Sequence, residues 1–342
     1  GPTMDLTATN IVIATGAKPR PLPGNPFAGA LIDSTQALEV NEFPSSAVII
    51  GAGAIALEFA SMWNAAGSKV TLLIRKDRVL SAWDRRAGTT LTRELKRHGV
   101  NIITRASVTH VDTGANLGAT VHYTREGQDG EQSVRGEIAL VAIGRDPITD
   151  PAWGVTIDDH GHVATDAYGR TDKPGVWAVG DVTAGHALAH RAFEQGIVIA
   201  ETIAGLNPKP VDEAAVPQIV FSFPEAASVG LTVEQAQARE DLIEIKETNY
   251  PMLANARMLM SGTAGSLTIV SGCDAANPDT PRVLGVHMVS QMASDIIAEA
   301  EQLVGNHVPL ADAARLVHPH PTFSETLGEA LLKADGRPLH TR

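Results

Sequence analysis

A glycine-rich turn between an apolar segment and a helical segment constrains the fold of this chain most. The apolar run 47–50 enters Gly51-x-Gly53-x-x-Ala56, and apolar residues at helical spacing follow. Gly51 permits a tight turn, Gly53 lets a ligand approach the backbone, and Ala56 lets the helix pack closely on the strand. Because free N–H groups at a helix start attract phosphate, the turn predicts a dinucleotide site in a Rossmann-like α/β domain. A glycine-rich turn that binds no ligand is the alternative.

The order of the segments predicts more than one domain. Strands and helices alternate through the first 143 residues, apart from polar, glycine-rich hairpins at 109–135. A later apolar strand ends in Gly180-Asp181 and leads into a helix, and a domain with an α+β pattern follows residue 217. We therefore expect an α/β fold with Rossmann-like cofactor domains and a C-terminal α+β domain.

Composition excludes some classes of partner and favours one compartment. The formal charge of −12 argues against binding nucleic acid or an anionic membrane, and no apolar run is long enough to cross a bilayer. The single cysteine, Cys273, fits a reducing compartment, so we expect a cytoplasmic protein.

Basic residues follow the second predicted strand of the nucleotide-binding unit. NAD sites usually carry Asp or Glu there to bind the ribose hydroxyls, whereas this chain has Arg75, Lys76 and Arg78. Cations suit a 2′-phosphate, so the position favours NADP over NAD. A solvated basic loop is the alternative.

A histidine and a glutamate lie close together near the C-terminus. His320 and Glu325 stand in a segment interrupted by Pro319 and Pro321. A carboxylate bonded to one imidazole nitrogen fixes the tautomer and orients the ring as a general base. Taken alone, such a pair is more often an ordinary polar contact.

Together these segments resemble the class I pyridine nucleotide–disulfide oxidoreductases, and within them the dihydrolipoamide dehydrogenases. The resemblance extends from Ile11 to about His340. The segments that carry it are Ile13-Ala14-Thr15-Gly16, residues 51–58, Ala142-Ile143-Gly144-Arg145, Gly180-Asp181-Val182, Leu188-Ala189-His190 and His320-Pro321-Thr322-x-Ser324-Glu325.

The resemblance implies roles for particular residues. His320 and Glu325 are the expected catalytic pair, and no metal is expected. The expected cofactor-binding residues are, for NAD or NADP, Gly51, Gly53, Ala54, Ile55, Glu58, Arg75, Lys76 and Gly144, and, for FAD, Thr15, Gly16, Gly180, Asp181, Leu188, Ala189 and His190.

The resemblance also implies a domain order and an activity. Residues 1–42 are expected to be a remnant of an FAD-binding domain, 43–147 an NAD(P)-binding domain, 148–213 the second part of the FAD domain, and 214–342 a dimerisation domain. Electrons would pass from a dithiol, dihydrolipoamide, through FAD to NAD(P). A homodimer is expected, with His320 serving the partner chain and with lipoyl domains of 2-oxoacid dehydrogenase complexes as possible substrates.

The departures from the family leave two alternatives open. The family's first FAD glycine turn and its Cys-x4-Cys disulfide precede the position of Ile11, so we expect an N-terminally truncated chain that is inactive alone and holds FAD poorly. The basic residues Arg75 and Lys76 suit an NADPH-dependent disulfide reductase, such as a glutathione or mercuric reductase. A non-catalytic, nucleotide-binding dimeric fragment is the other alternative.

Overall fold

A computed structural model describes residues 6–114 and 118–341 of the chain. The strands are β1 (Ile11–Ile13), β2 (Ala17–Pro19), β3 (Leu31–Ile32), β4 (Ser46–Ile50), β5 (Lys69–Leu73), β6 (Asn101–Ile103), β7 (Ala106–Gly114), β8 (Gly118–Arg125), β9 (Gln132–Gly136), β10 (Ile138–Val141), β11 (Arg145–Pro147), β12 (Val176–Ala178), β13 (Gln218–Val220), β14 (Glu225–Gly230), β15 (Leu242–Pro251), β16 (Ser266–Asp274) and β17 (Asn277–Ser290). The helices are α1 (Ser34–Leu38), α2 (Ala54–Ala65), α3 (Arg85–Arg97), α4 (Ala189–Ile203), α5 (Val233–Gln237), α6 (Ala256–Ser261), α7 (Ala293–Gly305), α8 (Leu310–Ala313) and α9 (Glu325–Ala334). Short 3₁₀ helices lie at Pro151–Trp153, Gly180–Val182, Glu213–Ala215 and Met252–Ala254.

The chain forms two compact units, and both are discontinuous in sequence. The first unit comprises the chain up to Arg20 together with Gly144–Glu213. In it β1 pairs in parallel with β12, and β2 pairs antiparallel with β11. A small apolar core that includes Ile13, Val163 and Val182 holds these strands together.

The second unit comprises Pro21–Ile143 and the chain from Ala214 onward. Its first sheet is parallel, with strand order β3-β10-β4-β5-β6. Helix α2 packs on β4 and β5 through small and large apolar residues, among them the fully buried Leu57, Ala60 and Trp63. The βαβ unit expected around the glycine turn is therefore present.

An antiparallel sheet of β7, β8 and β9 accounts for the segment expected to form hairpins. Its inner face packs on the parallel sheet through Val121 and Tyr123, which share a core with Val48 and Val141 of β4 and β10. The opposite face carries polar side chains.

The C-terminal part of the second unit is a five-stranded antiparallel sheet with strand order β13-β14-β17-β16-β15. Helices α7 and α9 pack against it and share its apolar core. The α/β fold with a C-terminal α+β domain expected from the sequence is confirmed, while the four domain boundaries stay a prediction.

Two expectations about individual elements are wrong. The sequence predicts a short helix over residues 310–316, but α8 ends at Ala313, and α9, which begins at Glu325, is not predicted. On the helix after Gly180-Asp181, the sequence favours core packing for Phe193 over lining a flavin, but Phe193 is 71% exposed on α4. Within the described part of the chain, no helix combines the length and apolarity needed to cross a membrane.

Candidate functional site

The glycine turn after β4 has a backbone that only glycine fits. Gly51 has φ +143°, and its N–H donates to the carbonyl of Leu73 at 3.1 Å. A Cβ at Gly51 would lie 2.2 Å from the carbonyl oxygen of Ala142, which follows β10. The turn thus lies close to the end of the neighbouring strand, because position 51 carries no side chain.

The start of α2 is open for a ligand. Gly53 is the N-cap residue, and no described atom from beyond its chain neighbours lies within 4 Å of where its Cβ would be. Ala54 and Ile55 begin the helix, so their backbone N–H groups have no acceptor in the preceding turn of helix. This end of α2 has the space and the donors that a pyrophosphate needs.

Glu58 on α2 is already engaged in the protein. Its carboxylate Oε1 accepts a hydrogen bond from the backbone N–H of Phe221 at 3.0 Å. Because one oxygen holds this backbone group, the carboxylate has a fixed orientation.

The basic residues after β5 divide into two kinds. Arg75 and Lys76 are exposed. Arg78 instead donates to Asp77 at 3.2 Å and to the Ser81 carbonyl at 3.1 Å, so it holds the loop together. Two of the three expected cations therefore remain available to a phosphate.

The first unit brings together the residues expected to bind FAD at the ends of β1 and β12. Thr15 donates to the carbonyl of Ile148 at 2.6 Å, and Gly16 has φ +72°. Asp181 Oδ2 lies 4.0 Å from Nε of Arg145, a buried atom with no hydrogen-bond partner among the described residues. A buried donor beside a carboxylate suits a polar ligand such as the hydroxylated chain of a flavin cofactor.

The first unit also contains Gly180, Gly144 and the start of α4, which the sequence predicts to bind the cofactors. Gly180 has φ +77°, and its N–H donates to Gln195 Oε1 at 2.9 Å. Gly144 has φ +128° and lies in this unit rather than in the unit that holds the glycine turn. Leu188 is the N-cap of α4, and Ala189 and His190 are exposed in its first turn.

The structure pairs His320 with Glu325. His320 Nδ1 lies 2.8 Å from Glu325 Oε1, and the His320–Pro321 peptide bond is cis. The side chain of His320 is 65% exposed, whereas that of Glu325 is only 15% exposed. A shielded carboxylate thus holds one ring nitrogen, and the other nitrogen faces outward.

Asn255 supports this pair, and sequence reasoning missed it. The buried Asn255 side-chain amide donates to the carbonyl of Thr322 at 3.1 Å and to Glu325 Oε2 at 3.4 Å. Its side-chain oxygen caps α6 through the N–H of Met258. Asn255 is far from Glu325 in sequence and no motif marks it, so only the tertiary structure reveals this contact.

An ion pair between a shielded histidine and a partly exposed glutamate anchors the chain immediately before His320. His318 Nε2 lies 2.9 Å from Glu299 Oε1 of α7, and its side chain is 8% exposed. Gly328 of α9 makes room for the ring, because a Cβ there would lie 2.3 Å from His318 Nδ1. The hydrogen bond to Glu299, with a smaller contribution from the charge of Glu325, raises the pKa of His318 despite its burial.

Replacing His318 with glutamine should lower the free energy of unfolding by about 1.5–3 kcal/mol, the usual worth of a hydrogen bond to a charged group. The raised pKa means that the stabilisation is complete below the unfolded-state value of about 6.5 and is lost as the pH rises through the folded-state value. Urea unfolding should therefore show a larger deficit at about pH 5.5 than at about pH 9. An equal deficit at both values would contradict the ion pair.

Two other ionisable groups, the Cys273 thiol and the Tyr250 hydroxyl, have raised pKa values. Burial raises the pKa of the Cys273 thiol, which lies in β16 and is fully buried although its sequence neighbours are polar. Burial, followed by the charges of Glu329 and Glu325, raises the pKa of Tyr250 to about 12. Both groups stay protonated near neutral pH.

Comparisons with known proteins identify the family of this chain. Residues 1–196 match the family model described as pyridine nucleotide-disulphide oxidoreductase, and residues 216–331 match the dimerisation domain of that family. The latter match supports the homodimer expected from the sequence.

Relatives extend over almost all of the chain. The chain is 38% identical to a dihydrolipoyl dehydrogenase of Cupriavidus necator and 36% identical to one of Bacillus subtilis, and in each case the match covers 98% of this chain and 70% of the relative. Among solved structures, LpdA of Mycobacterium tuberculosis superimposes with a TM-score of 0.83 at 27% identity, covering 95% of this chain and 69% of that one. The HOCl-induced flavoprotein disulfide reductase RclA of Escherichia coli gives 0.81 at 27% identity, covering 94% and 73%. The chain therefore belongs to the pyridine nucleotide-disulphide oxidoreductase family, whose members are FAD- and NAD(P)-dependent oxidoreductases acting on sulfur groups, and its relatives there are dihydrolipoyl dehydrogenases.

Proposed function

We propose that this protein oxidises dihydrolipoamide and reduces NAD(P), with FAD as the intermediate carrier. The observation that carries the proposal is the His320–Glu325 pair, in which a shielded carboxylate lies 2.8 Å from one nitrogen of an exposed imidazole. The balanced reaction removes two electrons and two protons from the dithiol, delivers a hydride to NAD(P), and releases one proton.

His320 is suited to take up a thiol proton. When Nδ1–H donates to Glu325, the neutral ring keeps its lone pair on Nε2, where it can accept a proton. Removal of this proton gives a thiolate, the form that attacks a disulfide. The disulfide that accepts the electron pair would be the family's Cys-x4-Cys pair, because the sequence holds a single cysteine, Cys273. The exposure of His320 fits a base that serves a site completed by the partner chain of a homodimer.

The chain has residues that fit both cofactors. The open N-terminus of α2 at Gly53, Ala54 and Ile55 would hold the pyrophosphate of NAD(P), and Asp181 with Arg145 would hold the flavin side chain. When bound, FAD and NAD(P) supply two-electron redox chemistry. The residues of this chain bind and orient these groups and move the proton at His320.

The test is reduction of NAD(P) by dihydrolipoamide, measured on the protein isolated from its source cell. Formation of the reduced nucleotide at a rate that saturates with dihydrolipoamide would support the proposal. Activity with NADPH and glutathione disulfide, together with inert lipoamide, would replace it with the second candidate, an NADPH-dependent disulfide reductase.

The exposed cations Arg75 and Lys76 favour NADP over NAD, and this preference can be tested by substitution. Changing both to serine should weaken NADPH binding by about 10- to 100-fold, the worth of one charge-assisted hydrogen bond, and leave NADH binding unchanged. Lys69→Ser is the matched control, because Lys69 is an exposed cation at the other end of β5. Equal NADPH affinity in the double variant and the wild type would show that the basic loop is only solvated.

The proposed activity also indicates which domains would carry the dihydrolipoamide and in which compartment the protein would work. Dihydrolipoamide attached to lipoyl domains of 2-oxoacid dehydrogenase complexes would reach His320 at the surface, as its 65% exposure allows. A reducing compartment such as the cytoplasm suits the free, buried thiol of Cys273.

A further inference from the structure

Two histidines and two carboxylates meet on the polar face of the β7–β8–β9 sheet. His110 of β7 is the cross-strand partner of His122 of β8. Their rings stack with centroids 4.0 Å apart and planes inclined by 10°. Asp112 and Glu131 lie beside this pair, and none of the four residues is used by the dithiol chemistry proposed above.

An irregularity in β7 puts His110 on this face. Val108 pairs with Tyr123 and His110 pairs with His122, so Thr109 is an extra residue between them. Val108 and Val111 both pack into the apolar core beneath the sheet. His110 and Asp112 consequently project from the opposite face, two residues apart on one strand.

On one edge of the stacked rings, the ring nitrogens and the Asp112 carboxylate are spaced closely enough to bind one metal ion. Asp112 Oδ2 lies 3.0 Å from His122 Nε2 and 3.9 Å from His110 Nε2. One ligand atom from each of the three residues lies within 4.8 Å of the others. Two ligands held 2.0–2.1 Å from a tetrahedral zinc ion are about 3.4 Å apart, so small side-chain rotations would bring the three donors onto one cation.

The other edge of the rings faces a carboxylate that can orient them. Glu131 Oε2 lies 3.5 Å from His122 Nδ1, and Glu131 Oε1 lies 3.8 Å from His110 Nδ1. Thr109 fixes this carboxylate, because its hydroxyl donates to Glu131 Oε1 at 2.7 Å. A neutral imidazole has a single N–H, so neither ring can donate to both Asp112 and Glu131 at once. A cation beside Asp112 resolves this competition, since each Nδ1–H can then face Glu131 while Nε2 binds the metal.

We propose that His110, His122 and Asp112 form a site for one divalent cation of the zinc class, with Glu131 as a positioning residue. Imidazole and carboxylate ligands suit Zn²⁺ and its neighbours in the transition series, and three protein ligands leave a fourth position for water. No metal is expected from the sequence, in which a hairpin separates the ligands; strand pairing brings them together.

The test is a calorimetric titration of the metal-free protein with Zn²⁺. The wild type should bind one equivalent per chain, and His122→Gln or Asp112→Asn should weaken that binding at least 100-fold. Glu131→Gln should weaken it about 10- to 100-fold and keep the stoichiometry, as expected for a group that orients a ligand. His162→Gln is the matched control and should bind like the wild type, because His162 also faces a carboxylate, Asp158, at 3.4 Å.

The melting temperature in the presence of Zn²⁺ tests the same site independently of the binding titration. Excess Zn²⁺ should raise the melting temperature of the wild type and of His162→Gln but not that of His122→Gln, since a cation stabilises only a fold that binds it. The metal-free variants should melt close to the wild type, because the substituted side chains lie at the surface. No Zn²⁺ binding by the wild type, or binding by His122→Gln and Asp112→Asn equal to that of the wild type, would overturn the site and leave only a cluster of imidazole–carboxylate contacts.

Discussion

Replacing His320 with glutamine is expected to lower kcat for dihydrolipoamide oxidation by about 10²- to 10⁴-fold, the usual contribution of a positioned general base. Glutamine keeps a polar side chain of similar size but cannot take up a proton. KM should change little, because the lost interaction acts on the proton in transfer rather than on substrate binding. Steady-state rates with dihydrolipoamide, measured on the protein isolated with its cofactors, would show this separation.

Two further variants separate catalysis from packing. Glu325→Gln should also reduce kcat, because an amide can present N–H to the ring nitrogen and favour the wrong tautomer. His340→Gln is the matched control, since His340 Nδ1 lies 2.9 Å from Glu329 Oε1 and its side chain is similarly exposed at 56%. Unchanged kcat in His320→Gln, or an equal loss in His340→Gln, would remove His320 from the mechanism.

Gly51→Ala is expected to destabilise the protein by about 2–6 kcal/mol. The new Cβ would lie 2.2 Å from the Ala142 carbonyl oxygen, and the φ of +143° is strained for alanine. Overpacking costs about 1–3 kcal/mol and an unfavourable backbone conformation about the same. Denaturant unfolding of the purified variant measures the loss of stability. A stability equal to that of the wild type would contradict the close approach of Gly51 to Ala142.

Gly53→Ala is the matched substitution at the same turn. No described atom from beyond its chain neighbours lies within 4 Å of the new Cβ, and φ is −90°, so the stability should change by no more than about 1 kcal/mol. The methyl group would nevertheless occupy the approach to the start of α2, and NAD(P) affinity should fall by about 10-fold or more. Fluorescence titration with NADH and NADPH would detect this, and unchanged affinity for both would place the nucleotide elsewhere.

Much of the architecture follows from local sequence. The apolar run before Gly51 and the helical spacing after it predict β4, the turn and α2, because strand and helix periods differ and only glycine fits the turn. The α+β character of the C-terminal part is also predicted. Helix α9 is missed because two prolines precede it and it contains Gly328, a poor helix former, although Leu327, Ala330 and Leu331 follow helical spacing.

In the candidate sites, too, some features follow from local sequence and others only from the tertiary structure. The sequence by itself determined the βαβ turn and, through its motifs, the family and the pairing of His320 with Glu325, because these depend on residues close together in the chain. Only the tertiary structure showed that Asn255 and the His318–Glu299 pair support that histidine, that Arg78 is occupied, and that His110, Asp112 and His122 meet. These contacts join elements that are brought together by strand register and core packing, and no local pattern of residues encodes such distances.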